Sequence, residues 1–271
     1  MNYISVIKEI LKDNFGYRRT IPKLAASDLK KTYSGSLLGW SWAVIRPAIL
    51  IFVFWFAYSV GLRKGNDKDG FPVFLWLIAG MIPWYFMRDM LTGGANCIRR
   101  FKYLVTKIKF PVSTIPNIVT SSNMVSHMGL VIIMIVLYWV LGFPPTIYYL
   151  QLPFYMFIMY MFWTAWALFA GMLSSVSTDF LNLVKSLTQA LFWLSGILYD
   201  VADLGSATLR KVLMFNPITI IVNGYRDTFM YHVWFWERAE SMRNFALLYL
   251  VMCLLAIWAY KKLRKEIPDV L

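Results

Sequence analysis

Asp28–Pro47, DLKKTYSGSLLGWSWAVIRP, runs without a break into the uncharged block Ala48–Leu62, AILIFVFWFAYSVGL. Each Leu, Ile, Phe or Val at the centre of a membrane helix favours insertion by roughly 0.3 to 0.6 kcal/mol, whereas a central Lys, Arg or Asp opposes it by about 2.5 to 3.5 kcal/mol. The first half of this stretch therefore stays in water, the second half leaves it, and the boundary near Arg46 is a membrane surface. Trp40 and Trp42 stand at that boundary, the depth where amphipathic indoles collect.

The rest of the 271-residue chain has the same character: 59% of it is hydrophobic and 18% aromatic, with a net charge of +13. Such hydrophobicity excludes an ordinary soluble domain, and the clustering of the basic residues turns the charge toward a membrane surface and away from nucleic acid. The opening residues, MNYISVIKEILKDNFGYRR, lack the apolar core of roughly 7 to 15 residues and the small-residue cleavage site of a removable signal. A cytoplasmic N-terminus is expected. Cys97 falls in a loop and Cys253 in an apolar span, so neither a disulfide nor a metal site is expected of them.

A helix crosses the hydrocarbon with about 20 mostly apolar residues. Six stretches qualify or come close: Trp42–Leu62, Phe71–Leu91, Val112–Leu141, Pro153–Ser175, Asn182–Tyr199 and Asn244–Tyr260. The fold class expected is thus an all-α polytopic membrane protein of six transmembrane helices. The third stretch is too long for one upright span, so its polar start, Val112–Asn123, begins at the surface or lines a polar interior. Pro83 predicts a kink in the second. Arg88, Asp89 and Lys185 sit near span ends and reach the surface by snorkelling, and Asp179 reads as a helix cap or a partner contact in the turn between spans four and five.

Lys and Arg fix the orientation. Lys8, Lys12, Arg18, Arg19, Lys23, Lys30, Lys31 and Arg46 precede the first span; Arg99, Arg100, Lys102, Lys107 and Lys109 follow the second; Lys261, Lys262, Arg264 and Lys265 follow the last. With six spans all three groups share one side, which the positive-inside rule makes cytoplasmic. A multi-pass bacterial cytoplasmic-membrane protein with both termini inside is expected.

Two further regions read as helices that do not span. In the first, Ile4, Ile7, Leu11 and Phe15 share one face, with Lys8, Glu9, Lys12 and Asp13 opposite, the pattern of an amphipathic interface helix lying on membrane lipids or packing on a partner. The second region lies outside, before the last span. Ser206 can cap Ala207–Phe215, and Asn216 with Pro217 starts another helix whose Ile218, Ile221, Val222, Tyr225 and Phe229 oppose Asn223, Arg226 and Asp227. Both are too short to cross and read as re-entrant or surface helices.

Four blocks in order resemble the permease subunits of ABC-2 type exporters that move lipid-linked polysaccharides (O-antigen, capsule or teichoic acid). Asp28, Leu29, Lys30, Tyr33, Ser36, Leu38, Gly39, Trp42 and Pro47 are similar to the family's D-L-K...Y...S-x-L-G-x-x-W element and its following proline. FPVFLWLIAGMIPWYF (71–86) resembles its second span, KIKFPVSTIPN (107–117) the opening of its third, and FNPITIIVNGYRDTFM (215–230) its N-P-x-T...G-x-R-D block. The resemblance implies a cytoplasmic N-terminal region (1–41), an ABC-2 transmembrane domain (42–260) with a coupling loop (92–111) and an external re-entrant segment (200–243), and a basic cytoplasmic tail (261–271). It also implies a homodimer served by two copies of an ATPase subunit. A phosphate loop of the G-x-x-x-x-G-K-[ST] type is missing from the sequence, so the chain is expected to be no enzyme and to hold no cofactor, ATP and Mg belonging to the partner.

In the family the loop after the second span is a coupling helix that docks on the ATPase, and Asn96, Arg99 and Arg100 are the expected contacts here; anchoring of the arginines to anionic lipid is the competing reading. Sugars slide over flat apolar faces flanked by weak hydrogen-bonding groups, which nominates Trp55, Tyr58, Trp84, Tyr85, Asn123, Gln189 and Trp193 for the substrate path, against the alternative that such rings face lipid or core. Arg226 and Asp227 are candidates for an external gate or for contact with the lipid pyrophosphate, against an ordinary ion pair. The alternative function is ABC-2 export of drugs or small lipids. A membrane enzyme would need clustered carboxylates or a His–acid pair, and His127 and His232 stand apart in the sequence.

Overall fold

The structure is a computed structural model that describes residues 2–33, 37–57, 67–108 and 110–267. Helices dominate it: α1 (Tyr3–Gly16), α2 (Thr20–Tyr33), α3 (Trp42–Phe56), α4 (Val73–Asp89), α5 (Cys97–Arg100), α6 (Lys102–Thr106), α7 (Ile115–Val140), α8 (Leu152–Val176), α9 (Thr178–Leu194), α10 (Ala207–Met214), α11 (Pro217–Arg226) and α12 (Ala239–Leu263). One short antiparallel hairpin pairs β1 (Asp67–Lys68) with β2 (Phe71–Pro72). Asp69 and Gly70 both have positive φ at its turn, the conformation for which an Asp-Gly pair is suited.

Each of the six expected spans contains a helix. Val112–Val140, Ile147–Val176 and Ala239–Leu263 are long and apolar enough to cross a membrane. The part of the first expected span beyond Ala57 lies outside the described residues, Tyr58 with it. The second begins two residues later than the sequence suggests, because Phe71 and Pro72 belong to the strand; a residue before proline favours extended backbone. The helix then runs through Pro83 unbroken. The fifth ends early, at Leu194, and Gly196 turns the chain with a φ of +63°. Its cap is Ser177, whose Oγ accepts from Phe180 N at 3.2 Å; Asp179 instead sits in the first turn, where its charge suits the helix dipole.

α4 is the hub. Every residue from Leu75 to Met87 is buried, as befits a helix apolar all round, and it packs on α3, α7 and α11. The outward faces of α3 (Phe52, Val53, Phe56), α7 (Ile132, Val136, Trp139), α9 (Leu183, Leu187, Trp193) and α12 (Leu250, Val251, Leu254) are exposed and apolar, a surface far larger than a soluble monomer leaves in water.

α1 has the same inverted character. Ile4, Leu11 and Phe15 are each more than 60% exposed, while Glu9, Asp13 and Asn14 turn inward beside the buried Val6 and Lys8 and Lys12 stay exposed. Asn14 Nδ2 donates to Ser113 O, Ser113 Oγ donates to Asp13 Oδ2 at 2.7 Å, and Glu9 pairs with Arg264 beyond α12. A soluble helix would bury the other face. The polar start of α7 is covered by protein in the same way: Ser121 bonds Tyr160 Oη at 2.9 Å and Thr164 donates to Thr120 at 3.1 Å, both from α8.

Candidate functional site

At the basic end, α5 and α6 form a short elbow held from three sides. Ile98, Phe101, Leu104 and Val105 are buried. Cys97 Sγ lies 3.6 Å from Ala167 O on α8, and a Cβ on Gly171 would come within 2.9 Å of that sulfur, so α5 sits directly on the α8 backbone. The third hold is ionic: Arg100 Nη2 pairs with Asp28 of α2 and donates to Thr32 Oγ1 at 3.2 Å. Asp28 is only 4% exposed. Burial pushes its carboxyl above the usual carboxylate range and the Arg100 guanidinium pulls it partly back. Arg99 donates to Thr178 Oγ1 at 3.1 Å at the start of α9. Asn96 is half-buried before α5.

Two of the three expected coupling residues are thus tied to other helices, and the outward face of the elbow is Lys102, Tyr103 and Lys107. Lys31 Nζ lies 5.9 Å from the centroid of the Tyr103 ring. Sequence reasoning missed Asp28 as the partner of Arg100; the signal was a single acid heading an otherwise cationic stretch.

The expected path residues divide. Trp84 is buried and meets Phe192 of α9 at 5.5 Å, and Phe192 meets Phe54 of α3 at 5.4 Å, so α3, α4 and α9 close on one aromatic joint. Trp55 stands edge-on to Phe74 at 6.2 Å. Tyr85 is buried and donates to Pro47 O at 3.3 Å, with Arg88 over its ring at 5.1 Å. Gln189 and Trp193 are exposed on α9, whereas Asn123 donates to Val119 O of its own helix at 3.1 Å and lies 3.4 Å from Met90 Sδ.

At the opposite end, α10 and α11 start on the caps that the sequence predicts: Ser206 Oγ accepts from Leu209 N at 3.4 Å, and Asn216 Oδ1 from Ile218 N at 2.9 Å. Of the polar face expected on α11, Asn223 is half-buried and the two charged residues are not open to water. Arg226 and Asp227 are each 2% exposed, and they do not pair with one another. Arg226 donates to Gly196 O at 2.8 Å and to Ile197 O at 2.7 Å, just past the end of α9, and lies flat on Trp76 of α4. Burial pulls its basicity down to about 10, so it stays charged at neutral pH. Asp227 instead accepts two bonds from Arg238, at 2.9 and 2.8 Å. Burial pushes the Asp227 carboxyl up, and those bonds pull it back. Deeper in, His127 Nε2 and Tyr225 Oη lie 2.7 Å apart, joining α7 to α11. Arg238 was overlooked in the sequence because it lies eleven residues beyond its partner, outside helical spacing.

Among the described residues, no group of His, Cys, Asp or Glu could hold a metal. One end thus carries a basic elbow braced on α2, α8 and α9, and the other a buried arginine held by two carbonyls.

The chain is 25% identical over 224 residues to an O-antigen export system permease protein RfbA of Myxococcus xanthus, covering 82% of this chain and 85% of that one. It is 22% identical over 222 residues to an O-antigen export system permease protein RfbA of Klebsiella pneumoniae, covering 81% and 84%. Residues 23–230 match the ABC-2 type transporter family, from α2 through the turn that follows α11. This chain is a membrane transport subunit and belongs to the ABC-2 type transporter family.

Proposed function

We propose that the chain is the membrane permease of an exporter that carries lipid-linked polysaccharide across the cytoplasmic membrane, working as a homodimer with two copies of a separate ATPase subunit. The observation that carries the reading is its similarity, across four-fifths of its length, to relatives named as O-antigen export permeases. The exposed apolar faces of α3 and α9 support a dimer, since a second copy would cover them and enclose a path beside the Phe54–Trp84–Phe192 joint.

In this reading, six helices cross the membrane and both termini lie in the cytoplasm. The ATPase pushes on Lys102, Tyr103 and Lys107. The push passes through Cys97 and Gly171 into α8, and through Arg100 and Asp28 into α2. Arg99, Arg100 and Asn96 keep the elbow rigid as it docks. Trp55, Tyr58, Gln189 and Trp193 offer the surface over which the glycan moves, with Asn123 and the buried Trp84 and Tyr85 supporting it from behind, and Arg226 with Asp227 sets the outer gate.

Deleting the gene should abolish surface polysaccharide and leave lipid-linked glycan inside the cell, with restoration by the wild-type gene only when its ATPase is present. Normal surface polysaccharide in the deletion strain, together with a loss of drug or small-lipid efflux, would replace this reading with the alternative.

A further inference from the structure

α9 runs between the two ends of the molecule. Arg99 of the elbow donates to Thr178 Oγ1 at its start, and beyond its last residue comes the Gly196 turn that Arg226 latches. Successive residues of a helix turn by about 100°, which sorts the side chains of α9 into three faces. Leu181, Val184, Thr188 and Phe192 are buried against the protein. Leu183, Leu187 and Leu194 are exposed and apolar. The third face is exposed and polar: Asn182, Ser186, Gln189 and Trp193 follow at intervals of four, three and four residues, with Lys185 along their edge.

This polar face suits neither lipid nor a second copy. An amide facing hydrocarbon without a partner costs about 1 to 3 kcal/mol, and a lysine there is disfavoured further. Among the described residues, Asn182, Lys185, Ser186 and Gln189 make no side-chain hydrogen bond or ion pair. A lysine that merely snorkels out of lipid belongs on the leucine face; this one stands with the amides. A second copy packed through α3 and α9 would bring Lys185 no carboxylate from α3 and only Asp179, in the first turn, from α9. A lysine buried there would lack a counter-ion, which is strongly destabilising. The leucine face can take the second copy, and the polar face is left to water and cargo.

The lipid and the glycan of the proposed cargo are joined through phosphate, whose negative charges do not cross hydrocarbon uncompensated. Lys185 lies about 10 Å from the elbow end of a helix about 25 Å long, so its cation stands partway along the crossing, with Gln189 and Trp193 ahead of it. An ammonium is a compact point charge on a flexible stem, able to follow a moving phosphate and to release it. We infer that Lys185 holds the phosphate of the lipid-linked substrate as it passes along the Asn182, Ser186, Gln189 and Trp193 face, an inference that rests on the export reading above.

Binding of farnesyl diphosphate to the permease–ATPase complex in phosphatidylcholine nanodiscs, followed by microscale thermophoresis, tests it. Farnesyl diphosphate should bind and farnesol should not. Lys185→Gln should weaken the binding roughly tenfold, the loss of about one charge-assisted hydrogen bond. Inorganic pyrophosphate and phosphatidylglycerol at equal concentration should displace little of the probe. A water-soluble maleimide should label Ser186→Cys in a Cys253→Ser background, and farnesyl diphosphate should slow that labelling several-fold. This second readout leaves Lys185 in place, so it decides the matter should Lys185→Gln fail to assemble. Unchanged binding in Lys185→Gln, equal binding of farnesol, or labelling that the probe does not slow would each overturn the site. So would full displacement by inorganic pyrophosphate, which makes it a free-phosphate site, or by phosphatidylglycerol, which makes it an ordinary anionic-lipid contact. A Ser186→Cys that the maleimide never reaches gives the face to a second copy and overturns it as well. A wild-type permease that restores export while failing these tests keeps the export reading and loses the site. One that restores no export removes the reading itself, whatever the binding.

Discussion

The guanidinium carbon of Arg226 lies 3.4 Å from the centroid of the Trp76 ring. A charge on the outer helix α11 is thus flattened onto the core helix α4 while its nitrogens hold the two carbonyls that follow α9. Trp76 lies more than a hundred residues before the Gly196–Ile197 turn and Arg226, yet all three meet at one side chain. The close fit needs Gly80, where a Cβ would stand 2.8 Å from Arg226 Nη2 and 3.2 Å from Ile197 O.

Arg226→Lys should be nearly as damaging as Arg226→Ala, because an ammonium cannot span both carbonyls and stack on an indole at once. Each leaves buried carbonyls short of donors, and a loss of about 3 to 5 kcal/mol is expected. Gly80→Ala should cost about 1 to 3 kcal/mol by overpacking. Thermal unfolding in detergent, followed by tryptophan fluorescence, checks all three.

The elbow rests on α8 through one missing side chain. Gly171→Ala should displace α5 and lower ATPase stimulation by the assembled complex several-fold, because the new Cβ meets Cys97 Sγ at 2.9 Å. Adding Cys97→Ala removes that sulfur and should restore part of the loss, a coupling of about 0.5 to 3 kcal/mol between neighbours. ATP turnover of the four proteins gives the cycle.

Arg100 and Asp28 should respond unequally. Arg100→Ala leaves a carboxylate buried without its cation and should cost about 1 to 3 kcal/mol, discounted because Arg100 is part-exposed, while Asp28→Asn frees Arg100 into water and should cost less. The pH dependence has a definite sign. Burial raises the Asp28 carboxyl in the folded protein, and losing Arg100 raises it further, so the defect of Arg100→Ala is full at neutral pH and fades as the pH falls through the folded value and the carboxyl takes a proton. Unfolding midpoints at pH 7 and pH 5 measure it.

The exposed apolar stripe of α1 should lie at headgroup depth. A spin label at Leu11→Cys, in a Cys253→Ser background, should be accessible to oxygen in the lipid and shielded from water-borne nickel complexes, whereas a label at Lys8→Cys should show the reverse bias. Equal access to both reagents at both positions would make α1 a soluble helix.

The helices themselves were legible in the sequence, because long apolar runs and Ser206, Asn216 and Pro217 are local signals. The end of α9 was not. From Ala190 to Tyr199 the run is apolar except for Ser195, and what stops the helix at Leu194 is Gly196 in a left-handed turn whose carbonyl a distant arginine collects. Site roles were legible only in part for the same reason. Arg226 and Asp227 stood out as charges on a short helix, but their partners, Trp76, Gly196 and Arg238, come from elements whose approach no local pattern encodes. Asp28 and Arg100 were each visible as charges, and only the fold pairs them.

The central claim is that the basic elbow and the Arg226 latch lie on opposite sides of the membrane. Labelling of single cysteines in intact and permeabilised cells with an impermeant maleimide tests it most directly. Trp236→Cys should label in intact cells, and Tyr103→Cys and Lys265→Cys only after permeabilisation. Labelling of Tyr103→Cys and Trp236→Cys together in intact cells, or of Tyr103→Cys and Lys265→Cys from different sides, would contradict the account.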